Sequence, residues 1–139
     1  MTFAELRDWV KKQGQFHWIN ARALESKPNE MNGGTVDLMW RQDNMQVERM
    51  THNPYDVIPM HRHPQVDSYE FPLWGSGEFW LNGRKLFLDD TTARWRPIFI
   101  SRNTWHGGCG KERGGAFLSV QCWHMPINGS VLDNWTARP

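Results

Sequence analysis

Residues 57–83 read VIPMHRHPQVDSYEFPLWGSGEFWLNG, and this stretch decides the fold. Val57 to His63 is an apolar-rich run ended by Pro64, which predicts a strand. His61 and His63 stand two apart on it, and side chains two apart on a strand share a face. Residues 67–74 predict a second strand, with Pro72 marking an edge or a bulge. Gly75-Ser76-Gly77 predicts a turn, and residues 78–82 a third strand. Asn82-Gly83 then predicts a tight hairpin into residues 84–88.

The same rhythm runs outward in both directions. Residues 35–41 and 45–51 predict strands joined at Asp43-Asn44, after a turn-rich loop at 26–34. Residues 94–100 and 116–125 predict two more strands, separated by a loop to His106 and a glycine-rich, flexible link at 107–115. About eight strands at spacings of roughly 8–12 residues indicate an all-β sandwich or barrel. Residues 3–13 predict one short amphipathic helix, with Phe3, Leu6, Trp9 and Val10 on one face. Thr2 and Glu5 predict a capping box, and Gly14 ends the helix.

The chain has 139 residues, the length of one domain, with a barrel over about 35–125 and a tail at 126–139. Sixteen Lys and Arg against fifteen Asp and Glu leave a net charge of +1, which offers no basic face to nucleic acid. No apolar run is long enough to cross a membrane. The N-terminus lacks the apolar core of a signal peptide, so a cytoplasmic location is expected. Two cysteines, Cys109 and Cys122, are too few for a disulfide framework. Nine tryptophans fit an aromatic core, a stacking surface or a subunit interface.

The histidines carry the chemistry. His61 and His63 share a face, Asp67 follows four residues after His63, and His106 ends the loop after residues 94–100. Three imidazoles and a carboxylate on neighbouring strands suit a divalent first-row ion: iron, manganese, nickel, copper or zinc. Val57 and Pro59 share parity with His61 and His63, and Tyr69, Phe71 and Leu73 with Asp67. If those faces point inward the ligands converge, and buried His and Asp would need a metal as partner.

Two segments resemble the motifs of the cupin superfamily. The first is His61-Arg62-His63-Pro64-Gln65-Val66-Asp67 followed by Gly75-Ser76-Gly77-Glu78 and Asn82-Gly83. The second is Pro97 to His106, which ends in the third histidine. The resemblance spans about residues 35–125 and implies a small jelly-roll β-barrel with a metal at its mouth, held by His61, His63 and His106. It departs at the acid, where Asp67 stands for the usual Glu; with a strand bulge, Glu70 takes that place instead. The second motif shows Ser101 and Asn103 in place of Pro and Gly, and Asn103 tolerates the left-handed conformation a tight turn needs. Small cupins commonly form homo-oligomers, and that is implied here.

Other residues are candidates by position. Tyr69 and Glu70 are candidates for acid–base work beside the metal. Trp105 adjoins His106 and is expected at the mouth of a substrate pocket, with Gln121 and Trp123 on its wall if that face of the last strand lines the barrel. If the other face does, His124 is a further candidate ligand. Arg94 and Arg96 are candidates for gripping an acidic substrate. No phosphate-binding or nucleophile-elbow motif occurs. The expected function is a metal-dependent enzyme acting on a small polar molecule, either dioxygenase-like or isomerase/epimerase-like. The alternative is a non-catalytic jelly-roll module, such as a component of a virion, in which metal stabilises the fold.

Overall fold

The computed structural model describes residues 1–89 and 95–137. Helix α1 (Phe3–Gln13) carries the predicted capping box and stops at Gly14, whose φ of 90° ends it. A second helix, α2 (Gln15–Asn20), follows at once. Nine strands follow among the described residues: β1 (Glu25–Pro28), β2 (Thr35–Gln42), β3 (Met45–His52), β4 (Val57–Arg62), β5 (Val66–Leu81), β6 (Arg84–Asp89), β7 (Ile98–Ile100), β8 (His106–Trp123) and β9 (Thr136–Ala137). A short 3-10 helix, Val131–Asp133, precedes β9.

The strands form one curled antiparallel sheet organised by β8. Along its C-terminal half β8 pairs with β3, from Met45 opposite Cys122 to His52 opposite Gly115. Along its N-terminal half it pairs with β4, where His61 sits opposite His106. On its other side it pairs with β5 from Val66 opposite Trp123 to Leu81 opposite His106.

Four expectations need correcting. Residues 107–115 are not a flexible link but half of β8. Their glycines permit close strand contact: a Cβ on Gly107 would lie 2.7 Å from the Ile58 oxygen, and one on Gly115 2.7 Å from the Trp74 oxygen. Residues 67–74 and 78–82 are one continuous strand, β5. The glycines there bend it through register shifts at Pro72/Trp74 and Gly75/Gly77 rather than turning it back. Part of the loop at 26–34 is strand β1, paired with β2. Among the described residues of 94–100, which begin at Trp95, only Ile98–Ile100 is strand; Arg94 lies outside them.

Both faces of the sheet are covered. On one, Leu6 and Val10 of α1 and Trp18 of α2 pack on Val47, Phe71, Leu73, Leu118 and Val120. The inner face is mixed. Val36, Met50, Val66, Trp123 and Val131 form an apolar cluster, yet Gln46, Glu48, Ser119 and Gln121 are also fully enclosed there. These polar groups satisfy one another: Gln121 Nε2 donates to Glu48 Oε1 at 2.9 Å, and Gln46 Nε2 to Gln121 Oε1 at 2.9 Å. The helix layer is held by Arg49, whose Nε and Nη2 both donate to Asp37 Oδ2 (2.9 and 2.8 Å) and whose Nη1 donates to the main-chain oxygens of Trp18, Ile19 and Ala21 at the end of α2.

Candidate metal centre

β4 and the start of β8 bring His61, His63 and His106 together, all three buried, with one ligand atom of each within 4.8 Å of the others. His61 sits directly across the ladder from His106. The two-residue period puts His63 on the same side, so Nε2 of His61 and His63 lie 3.1 Å apart. The imidazole ring centroids of His61 and His106 are 4.2 Å apart.

The other ring nitrogens fix the chemistry. His61 Nδ1 lies 2.7 Å from the Pro59 oxygen, His63 Nδ1 2.8 Å from Asn134 and His106 Nδ1 2.8 Å from Thr104. A main-chain carbonyl only accepts, so each Nδ1 carries the proton and each Nε2 presents a lone pair. Two Nε2 lone pairs 3.1 Å apart cannot bond each other. A cation satisfies them: with metal–nitrogen bonds of about 2.1 Å at a right angle, two ligand nitrogens stand about 3.0 Å apart. Burial, reinforced by the neighbouring imidazoles, holds His63 down at about 4 and His106 at about 3; burial lowers His61 as well. Neutral imidazoles tied at the far nitrogen to carbonyls are the form that binds a metal.

Glu70 stands on the wall of the same cavity, of about 40 Å³. Ser68 and Ser119 each donate to its Oε1 at 2.9 Å. Its Oε2 is buried with no hydrogen-bond partner. Burial pushes its pKa up to about 7 against the pull of the two serines, and the charge of Glu48 adds to the rise. The remaining wall includes Ile58, Phe79, Phe117, Val131 and Leu132.

Asp67 is placed elsewhere. By parity it shares the helix-side face of β5 with Phe71 and Leu73. Its carboxylate accepts from the Arg102 main-chain nitrogen at 2.7 Å and pairs with His124 Nε2 at 2.7 Å, so it braces the turn before His106. Asn103 in that turn has φ of 64°, the left-handed conformation expected of it. The inward parity expected from Val57 fails because the β4–β8 register shifts between Ile58 and His61, leaving Val57 53% exposed. Tyr69 also faces the helices, where its hydroxyl takes a hydrogen bond from Arg7 and its ring packs on Phe3.

Of the expected pocket residues, Trp123 is core, its Nε1 donating to Gln121 Oε1, and Gln121 is closed inside the polar cluster. Trp105 lies under the Arg62 guanidinium, 4.8 Å from its ring centre. None of the three is on the wall around the histidines. The tail supplies what local motifs could not signal: Val131 and Leu132 on the wall, the Asn134 carbonyl on His63, and Trp135 edge-on to His61 at 5.8 Å.

No protein-family model matches the sequence, and no curated protein matches it. Solved structures do. KdgF from Halomonas sp. superposes with a TM-score of 0.62 at 16% identity, over 73% of this chain and 87% of that one. An RmlC-like cupin from Shewanella frigidimarina gives 0.61 at 12%, over 74% and 86%. The fold is that of the cupins. PAC13 of Streptomyces, solved with uridine, gives 0.61 at 13%, over 86% of this chain and 90% of its own. The curled sheet and the clustering of His61, His63 and His106 in this chain are what the two sequence motifs led one to expect. The helix of the described residues are all too short or too polar to cross a membrane.

Proposed function

We propose that this cupin is a metal-dependent enzyme in which His61, His63 and His106 hold a first-row divalent ion and Glu70 moves a proton beside it. One observation carries the reading: three Nε2 lone pairs converge beside a buried carboxylate oxygen that has no partner. Bound there, an ion would polarise oxygen atoms of a small substrate. The backbone carbonyls of Pro59, Thr104 and Asn134 orient the three rings. Ser68 and Ser119 hold Glu70 by Oε1 and leave Oε2 directed to neither. A carboxyl held near 7 can both give and take a proton at neutral pH, which suits isomerase- or epimerase-like proton transfer better than a dioxygenase-like reaction.

Elemental analysis of the purified protein tests the centre. One ion per chain that is lost in His106→Ala supports it, and a metal-free native protein overturns it. A second reading draws on the small cavity and the tail laid over it, which also suit an ion that only stabilises the barrel. Water relaxation by a paramagnetic ion separates the two: the enzyme requires an exchangeable coordination position.

A further inference from the structure

Glu70 borders a second chamber. This chamber, of about 70 Å³, is walled by Ile58, Pro72, Trp74, Phe79, Ile98 and Phe117 among others. It shares Ile58, Glu70, Phe79 and Phe117 with the cavity around the histidines. Trp74 on its wall is 40% exposed, so the chamber reaches the surface there. Among the described residues, neither wall carries a Lys or Arg, so a remote anionic group would meet no counter-charge. Polar side chains on the second wall are few: Glu70, Ser76 and His52. A fully hydroxylated arm would find little there to replace the hydrogen bonds it gives up to water.

We infer that this chamber seats a short apolar arm of the substrate, so that the ligand is amphiphilic: oxygen atoms at the histidine centre, a donor toward Glu70 Oε2, and an aliphatic tail beyond it. This rests on the metal-centre reading. The chamber has about half the volume of a cavity of about 150 Å³ that holds benzene, which sets the tail at about three carbons.

Straight-chain hydroxamates, from acetohydroxamate to octanohydroxamate, test this on the cobalt(II)-loaded protein. Each offers two oxygens to an ion and an N–H to Glu70. Binding is read from the visible spectrum of the cobalt, with cobalt content checked after each titration. Affinity is expected to rise about fourfold for each added methylene and to level off once the chamber is full. Ile98→Trp should bring the plateau to a shorter chain and Ile98→Ala should move it to a longer one. Ile98 is only partly buried, and the Ala variant keeps the test open should the Trp variant not fold. A flat or falling series on cobalt-loaded protein overturns the apolar chamber and leaves the metal centre standing. A plateau that stays put in the folded Ile98 variants also overturns it. A protein that takes up no cobalt overturns the metal centre, and this inference with it.

Discussion

The imidazole of His63 is oriented by the main-chain oxygen of Asn134, 2.8 Å from its Nδ1, so a residue of the tail sets the angle of a ring on β4's end. Outer partners of this kind are worth roughly 10–100-fold in metal affinity. A chain ending at Asp133 should therefore keep its fold and bind the ion about 10–100-fold more weakly, as measured by competition with a chromogenic chelator. Unchanged affinity would mean that His63 is held by something other than the tail.

An ion bound to the folded protein and not to the unfolded chain adds stability by mass action, about 2.7 kcal/mol at a hundredfold excess over its Kd. Chelator should thus lower the Tm of the native protein. In His61→Ala the same chelator should leave Tm unmoved, because the centre is already lost.

Glu70 has a folded pKa of about 7, above the ordinary 4.5, so the fold favours its protonated form. Its ionisation costs stability progressively as pH rises from about 4.5 through 7. His63 and His106 act in the opposite sense: held at about 4 and about 3, they favour the neutral ring, and metal-free stability is lost as pH falls from 6.5 through those values. Relative to the parent, metal-free Glu70→Gln should gain about 2–3 kcal/mol on going from pH 5 to pH 8. Denaturant melts at the two pH values check this. Metal content should be unchanged in this variant while turnover falls.

Arg49 joins β3 to Asp37 and to the end of α2, with both partners of the ion pair largely buried. Arg49→Ala leaves the Asp37 charge and three main-chain oxygens short of a donor, at a cost of about 3 kcal/mol or more. Arg49→Lys should recover little, since one ammonium cannot reach both Asp37 Oδ2 and the carbonyls at the end of α2 as the spread guanidinium does. A parent-like urea midpoint in Arg49→Ala would count against the clamp.

The barrel and its three histidines were legible because alternation, turn residues and the His61-Arg62-His63 spacing are local signals. The acid was not. Its side depends on which face of β5 looks inward, and a two-residue period is sensitive to a single register shift. Both faces of β5 are buried here, one under helices, so the apolar residues Phe71 and Leu73 pointed to the wrong side for Asp67. Glu70, weighed as the substitute, is the carboxylate that reaches the cavity. The glycine tract of β8 read as flexible because composition cannot distinguish freedom from close contact. Trp135 and the Asn134 carbonyl left no pattern, since a main-chain oxygen is the same whatever residue carries it.

The pairing of β5 with β8 also orders events in time. The two strands come closest in sequence where Leu81 meets His106 and are farthest apart where Val66 meets Trp123. Closing the shorter loop costs less entropy, so zipping is favoured from the His106 end. The neighbourhood of that histidine then assembles early, and β3 docks on the far half of β8 afterwards. Refolding through such distant partners belongs in the millisecond-to-second range of all-β domains.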